Sequence, residues 1–290
     1  MLGALQQLLP VVLGANLRRP LLLAGVVHAS ITPGALLLAG ALLTQQAWLF
    51  AAAVICLAVG VGTFVVAVAR ALQGLAHSNP TILGFKLSLL GLTAAALSGL
   101  GLATALGLAL DLPLTQWTDL HLGWGFLAWG GTLIVAVAFV TVPMFQMTPE
   151  YPVWFSRNFT RWVLAAIAGW TLADLAGWTP LAETLIALAV IGTALACVTT
   201  LHLLHRSKRA KREASHQLWN TAMGSALAAC LLWLAARFIP ALDQWAGWPL
   251  LLGTLLLFGC FMSVILAMLY KIVPFLVWLH LQNRSCLFVR

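Results

Sequence analysis

The sequence predicts an all-α protein, a polytopic bundle of transmembrane helices. Its 290 residues are 62% hydrophobic and only 8% charged, with a mean hydropathy of +1.00. Soluble domains carry about a quarter charged residues, so a soluble core of this length could not bury so much apolar surface. Long apolar runs separated by short polar breaks recur along the whole chain, as expected for helices that cross a bilayer.

The apolar runs divide the chain into a partial helix and eight full spans. About 20 apolar residues cross the hydrocarbon core as a helix, and these continuous Leu-, Ala- and Gly-rich runs lack the alternation of barrel strands. The run at 82–110 is long enough to need tilt or an irregular end. The partial helix is predicted at 1–15, and the spans at 21–43, 48–70, 82–110, 121–145, 159–177, 181–204, 216–239 and 248–275.

The charges segregate by side when the loops are taken alternately. Apart from Arg237, the 15 Lys and Arg residues fall on one side, and most acids fall on the other. The positive-inside rule then places the basic loop 206–213 in the cytoplasm, with the chain in the bacterial inner membrane. Topology therefore explains the net charge of +8, and no nucleic-acid partner is expected. Binding of anionic lipid is the functional alternative for this loop.

A repeated segment predicts the domain organisation. Three stretches end in an apolar-Pro-apolar step, at Pro10, Pro143 and Pro274, which lie 133 and then 131 residues apart. Each proline is expected at the basic end of a span, where it loosens the last turn. Four spans lie between successive prolines, which indicates four-helix units. The predicted divisions are a partial helix at 1–15, a four-helix unit at 16–146, and a second unit with a cytoplasmic tail at 147–290.

The first repeat segment should close a fourth helix, although the chain begins there. We therefore expect that a longer parent or its relatives carry a further N-terminal helix group, and that this chain is a fragment or a shortened paralogue.

Small residues recur at every fourth position of the span 82–110. On a helix they form a smooth ridge that another backbone can approach closely. This is a packing signal whose partner the sequence does not name. The packing ridge consists of Gly91, Ala95, Gly99, Ala103 and Gly107.

The five cysteines are scattered and form no CxxC pair, so disulfide and zinc interpretations lack support. Four of them lie in apolar runs, where free cysteine serves as a small packing residue.

Histidine residues inside spans are the candidate functional groups, because ionisable side chains in a bilayer are costly. His28 lies within the span 21–43, with Thr32 one turn later on the same face. It is a candidate metal ligand, haem ligand or proton carrier; the alternative is a hydrogen-bonded interior histidine.

His121 opens the span 121–145, and Gly125 shares its helical face. Small residues beside an imidazole leave room for a flat ligand or for another helix. The alternative is a histidine that rests at the level of the lipid headgroups.

The segment His121-Leu-Gly-Trp124, followed about twenty residues later by Val142-Pro143, resembles a span of bacterial proteins related to haem–copper oxidase subunit I. The segment Met268-Leu-Tyr-Lys-Ile-Val-Pro-Phe275 is similar to the end of the matching later span. The resemblance implies twelve helices in three four-helix arcs, in agreement with the repeat. It also makes His121 and His28 candidate ligands of haem b.

Departures from that family are equally informative. The span 248–275 has no histidine, and the span 216–239 has no His-His pair. A three-histidine copper site cannot be assembled, so the resemblance implies a degenerate relative that does not itself reduce oxygen.

No catalytic residue is predicted, since the sequence has no Walker lysine loop, HExxH or GxSxG motif. The acids lie outside the spans, which disfavours many proton-coupled transporters. Three hypotheses remain. The chain is a haem-binding or accessory protein of respiratory haem and copper handling, a permease for a small solute or metal, or a structural subunit packed in the bilayer against other membrane subunits.

Overall fold

The computed structural model describes residues 1–75, 78–209 and 213–287, and these residues form helices and no strand. Two π-helical segments, π1 and π2, interrupt the α-helices. The elements are α1 (Leu2–Leu13), α2 (Pro20–Thr44), α3 (Ala47–Leu72), α4 (Pro80–Gly107), α5 (Leu114–Gly123), π1 (Trp124–Gly131), α6 (Thr132–Gln146), α7 (Val153–Leu175), α8 (Thr179–His205), α9 (Ala214–Ala236), α10 (Pro240–Asp243), α11 (Trp248–Thr254), π2 (Leu255–Met262) and α12 (Ser263–Leu287).

Seven helical stretches in the described ranges are long and apolar enough to cross a membrane. Each coincides with a predicted span, and the prediction of an all-α polytopic membrane protein is confirmed. The seven stretches are Pro20–Thr44, Ala47–Leu72, Pro80–Gly107, Leu114–Gln146, Thr179–His205, Ala214–Ala236 and Trp248–Trp278.

The remaining predicted span, 159–177, coincides with α7, which is 23 residues long but is not among the seven apolar stretches. Arg157, Arg161 and Asp174 make this helix more polar than the others. One of these polar residues has a partner on a neighbouring helix: Asp174 accepts a hydrogen bond from Gln116 of α5 at 2.8 Å. Within the described residues, α7 is therefore a more polar helix beside the seven apolar stretches.

Local sequence explains several helix ends. Asn79 caps α4, because its Oδ1 accepts from the backbone N–H groups of Thr81 and Ile82. Pro80 follows in the first helical position, where its missing N–H costs nothing. The predicted span 82–110 ends earlier, at Gly107, and Ala109 then adopts a φ of +49°. The end of this long span is thus irregular.

The three repeat prolines lie in different surroundings. Pro10 and Pro143 lie three residues before the ends of α1 and α6, as expected for prolines that loosen a last turn. Pro274 differs, because α12 continues beyond it to Leu287. The apolar stretch Trp248–Trp278 nevertheless ends four residues after Pro274, so this proline lies near the end of its span although the helix itself continues.

The chain divides into two compact units. Unit 1 comprises Met1–Ala136 and Ser156–Ala189, and unit 2 comprises Val137–Phe155 and Val190–Arg290. These units do not follow the chain order of the predicted repeats, and the division at 146/147 stays a prediction. Residues 210–212 of the basic loop 206–213 lie outside the described residues.

The π-helical segments recur at the interval of the proline repeat. Each has eight residues, and π2 begins 131 residues after π1 (255 less 124). A hydroxyl residue follows each segment: Thr132 donates to the carbonyl of Ala128, and Ser263 donates to that of Phe258. Such bonds satisfy carbonyls that a widened turn leaves without their usual partners.

Candidate functional site

The imidazole of His121 is held by the neighbouring helix α4 within unit 1. His121 lies in the last turn of α5, and its Nδ1 is 2.8 Å from the carbonyl oxygen of Ala95. A carbonyl only accepts, so Nδ1 carries the proton and donates it. The hydroxyl oxygen of Ser98 lies 3.4 Å from the same nitrogen. When the ring is neutral, Nε2 therefore keeps its lone pair, and no group in the described ranges hydrogen-bonds it.

Glycine at position 99 makes this approach possible. A Cβ placed on Gly99 would lie 2.6 Å from Cε1 of His121 and 3.0 Å from its Nδ1. Gly91, two turns earlier on α4, meets π1 in the same way, since a Cβ there would lie 2.5 Å from the carbonyl oxygen of Ala128. Both glycines thus bring α4 against the helix that carries His121.

The later members of the packing ridge have a different neighbour. Ala103 is buried in a cluster with Ala41 and Phe50, which belong to α2 and α3. A Cβ on Gly107 would lie 2.7 Å from the Cβ of Phe50. The ridge that sequence analysis identified therefore contacts α5 and π1 through its first three members, and α2 and α3 through its last two.

Helix α7 supports the His121 segment from another direction. The indole Nε1 of Trp124 donates to Thr171 Oγ1 at 3.0 Å, and the ring of Trp170 lies directly against Gly123. Sequence analysis named Trp124 only within the segment that resembles a known family. The sequence signal that was available is the pair Gly123 and Trp124, two and three residues after His121, but this pair does not identify α7 as the partner.

Open space lies one turn beyond the histidine. A Cβ placed on Gly125 would meet no atom within 4 Å. Gly99 and Gly125 therefore differ: the imidazole of His121 fills the space beside the first, whereas the space beside the second stays free. A methyl-sized position is thus open at Gly125, and the expectation that this face has room for a flat ligand or another helix stays a prediction.

The structure does not join His28 to His121. His28 is exposed on α2, and its Nδ1 lies 3.2 Å from the Oγ1 of Thr32, one turn later on the same helix. The hydrogen bonds described for His121 are all to α4. The described residues include no group of three or more His, Cys, Asp or Glu side chains placed to hold a metal ion.

The cysteine side chains that the structure describes are free thiols. Cys197, Cys230 and Cys260 are buried in unit 2, and Cys56 is partly buried. Each of the three buried thiols belongs to a different element, α8, α9 or π2.

A second polar cluster, which sequence analysis missed, lies in unit 2. Gln146 is fully buried, and its side-chain Nε2 donates to Ser215 at 2.9 Å. The backbone carbonyl of Gln146 accepts from the Ser207 hydroxyl at 2.5 Å. Tyr151, also buried, shares a 2.9 Å hydrogen bond with Thr200. Burial raises the pKa of the Tyr151 phenol above its ordinary value. These bonds fix the segment after α6 against α8 and α9.

Near that cluster, Glu213 forms ion pairs with Arg209 and Lys271. The Glu213 carboxylate thus pairs with two cations at the start of α9. Its negative charge also interacts favourably with the positive end of the helix dipole.

Comparison of the chain with models of protein families gave no match, and comparisons with curated proteins and with solved structures also gave none.

Proposed function

We propose that this chain is an integral protein of the bacterial inner membrane that binds one haem b through Nε2 of His121. In this proposal the basic loop 206–213 lies in the cytoplasm. The role is accessory, in respiratory haem or copper handling, and it does not include oxygen reduction. The supporting observation is the hydrogen bond from His121 Nδ1 to the Ala95 carbonyl at 2.8 Å.

That hydrogen bond holds the proton on Nδ1 and so leaves the lone pair of Nε2 available to a metal. Imidazoles that bind metals commonly donate their second ring N–H to a carbonyl or carboxylate, which sets the tautomer and raises the basicity of the ligand atom. The contact with Gly99 restricts the ring further, because a Cβ there would lie 2.6 Å from Cε1, 3.0 Å from Nδ1 and 3.5 Å from Nε2. The unpartnered nitrogen is therefore presented in one orientation, at low entropic cost.

The surroundings of His121 fit a flat ligand in one further respect. Open space beside Gly125 lies one helical turn from the imidazole on the same face. Haem would supply one-electron chemistry when bound, with a potential set by its axial ligand and by surrounding hydrogen bonds. The chain's own residues would hold the ligand nitrogen and keep the ring in place through Ala95 and Ser98.

The donor set limits the chemistry that is proposed. Oxygen reduction in the resembling family uses several histidines, whereas this site offers one imidazole held by α4. His28 is exposed on α2 and bonded to its own helix, so we assign it no share of the His121 site.

The test is titration of haem b into the full chain, purified in mild detergent, with His121→Ala and the matched variant His28→Ala. Wild type and His28→Ala should bind one equivalent. His121→Ala should bind at least about tenfold more weakly, which corresponds to about 1.4 kcal/mol. Equal binding by all three proteins would remove His121 from this role.

A further inference from the structure

A cavity of about 330 Å³ lies in unit 1 between the start of α4 and the N-terminal half of α7. Arg157 and Arg161, four residues apart on α7, contribute two guanidinium groups to it. Ser78 adds a hydroxyl, and Pro80 and Leu83 of α4 form an apolar wall. The cavity is thus cationic on one side and apolar on the other.

No ion pair within the described part of the chain neutralises the two guanidinium groups of this cavity. Neither Arg157 nor Arg161 has an ion pair or hydrogen bond with a described residue. Neither α4 nor α7 has an acidic residue in its first turn, although the N-terminal end of a helix favours negative charge. Two guanidinium groups therefore line the same cavity, and neither is ion-paired with a described residue.

Topology alone does not require this convergence. The positive-inside rule predicts that basic residues lie on one side of the bilayer, but it does not predict that they cluster around one cavity. The first backbone N–H groups of α4 are also already satisfied, because Asn79 caps Thr81 and Ile82. The side chains of Arg157 and Arg161, rather than the helix end, are thus the available donors.

We propose that this cavity binds the phosphate group of an anionic ligand, either a phospholipid headgroup or a free phosphate. The planar guanidinium fork matches phosphate oxygens and donates two parallel hydrogen bonds. A volume of about 330 Å³ falls at the small end of ligand sites, and it exceeds the needs of a bare phosphate ion. Pro80 and Leu83 supply the apolar contact that the glycerol portion of a headgroup would use. This site is independent of His121.

The experiment measures binding of two probes to the full chain in mild detergent: short-chain phosphatidylglycerol and inorganic phosphate. Wild type is compared with Arg157→Gln/Arg161→Gln. The matched control is Arg70→Gln/Arg206→Gln, which removes the same charge from the same basic side outside the cavity. We expect the cavity variant to bind at least about tenfold more weakly, and the control to bind as wild type does.

The two probes distinguish the sources of the phosphate. Binding of phosphatidylglycerol alone identifies a lipid headgroup, and binding of both probes identifies recognition of the phosphate group itself. Absence of binding by wild type would overturn the proposal. Equal weakening in both double variants would also overturn it, since general surface charge would then explain the binding.

A further comparison keeps the test valid if the double variant does not fold. Arg161→Lys retains the charge but loses the fork, and it should bind severalfold more weakly than wild type. Wild type should also melt at a higher temperature with short-chain phosphatidylglycerol, with phosphate or with both than in chloride of equal ionic strength. A melting temperature that neither probe raises, or equal binding by Arg161→Lys and wild type, would contradict the proposal.

Discussion

At position 99 of α4, even a methyl group would collide with the imidazole of His121, 2.6 Å from Cε1. Sequence analysis identified both residues, but as members of two separate features. The ridge was assigned to packing, and the histidine was a candidate ligand. Only the tertiary pairing of α4 with α5 joins them, because no local pattern specifies which helix meets the ridge.

Gly99→Ala should therefore displace His121 and lower stability by about 1–3 kcal/mol, the usual cost of overpacking. The bond from Nδ1 to the Ala95 carbonyl would be strained or lost, so haem binding should weaken as well. The measurement is thermal melting in detergent, together with haem titration.

Gly101→Ala is the matched control on the same helix. A Cβ there would meet only the edge of Trp117, at 4.0 Å, which is an ordinary contact. Its melting temperature should be unchanged or slightly raised, since alanine favours helices over glycine. Equal destabilisation by both substitutions would contradict the assigned contact between Gly99 and His121.

Tyr151 carries a pH prediction at the same scale. Burial raises its pKa above the ordinary value of about 10, so the folded chain keeps the phenolic proton at a pH where the unfolded chain has lost it. The contribution of Tyr151 to stability is therefore fully present below about pH 10 and is lost as the pH rises above it.

The measurement uses Tyr270→Phe, which leaves Tyr151 as the single tyrosine of the chain. Tyrosinate absorbance should appear only above pH 10 or together with unfolding. Ionisation at about the ordinary pKa, while the protein remains folded, would show that the phenol is accessible to solvent.

At the scale of elements, each π-helical segment packs closely against a neighbouring α-helix through one glycine. In unit 1 that glycine belongs to the α-helix, and in unit 2 it belongs to the π-helical segment. In unit 1, Gly91 of α4 meets Ala128 of π1. In unit 2, Gly259 of π2 meets Ser225 of α9, where an added Cβ would lie 2.6 Å from the serine Cβ. Each unit thus needs one glycine at the crossing, on either helix. Sequence analysis found the repeat through its prolines but not through π1 and π2, since a widened turn has no clear sequence signature.

A double-mutant cycle tests this crossing in unit 2. Gly259→Ala should lower stability by about 1–3 kcal/mol, because its methyl group meets the Ser225 side chain. The double variant Gly259→Ala/Ser225→Gly should recover most of that loss, since it reproduces the arrangement of unit 1. The measurement is thermal melting of all four proteins of the cycle.

The matched comparison is Gly91→Ala in unit 1, whose methyl group would meet backbone atoms of Ala128. No truncation of a side chain can relieve that contact. Additive effects of the two substitutions in unit 2 would show that Gly259 and Ser225 do not share a crossing.

At the scale of the whole molecule, composition and loop charge predicted the all-α polytopic fold, because apolar runs of bilayer length have few alternatives. The same reasoning treated α7 as one span among eight. In the structure, Arg157 and Arg161 of this helix line a cavity, and Asp174 accepts a hydrogen bond from Gln116 of α5. Hydropathy could not reveal these contacts, since they depend on which helices are neighbours.

Sidedness is tested by cysteine labelling in intact cells with a membrane-impermeant thiol reagent. Ala210→Cys, in the basic loop, should react only after the membrane is opened. Ala246→Cys, on the predicted opposite side, should react in intact cells. Wild type measures the background of the native cysteines. The reverse pattern would contradict the proposed cytoplasmic placement of the loop 206–213.

The most direct test of the proposed haem site is a reduced-minus-oxidised absorption spectrum of the full chain as purified in mild detergent, with haem and metal quantified in the same sample. We predict the bands of a b-type haem at about one per chain, absent from His121→Ala and retained in His28→Ala. A flat spectrum from folded wild-type protein that contains no haem would contradict the assignment of His121.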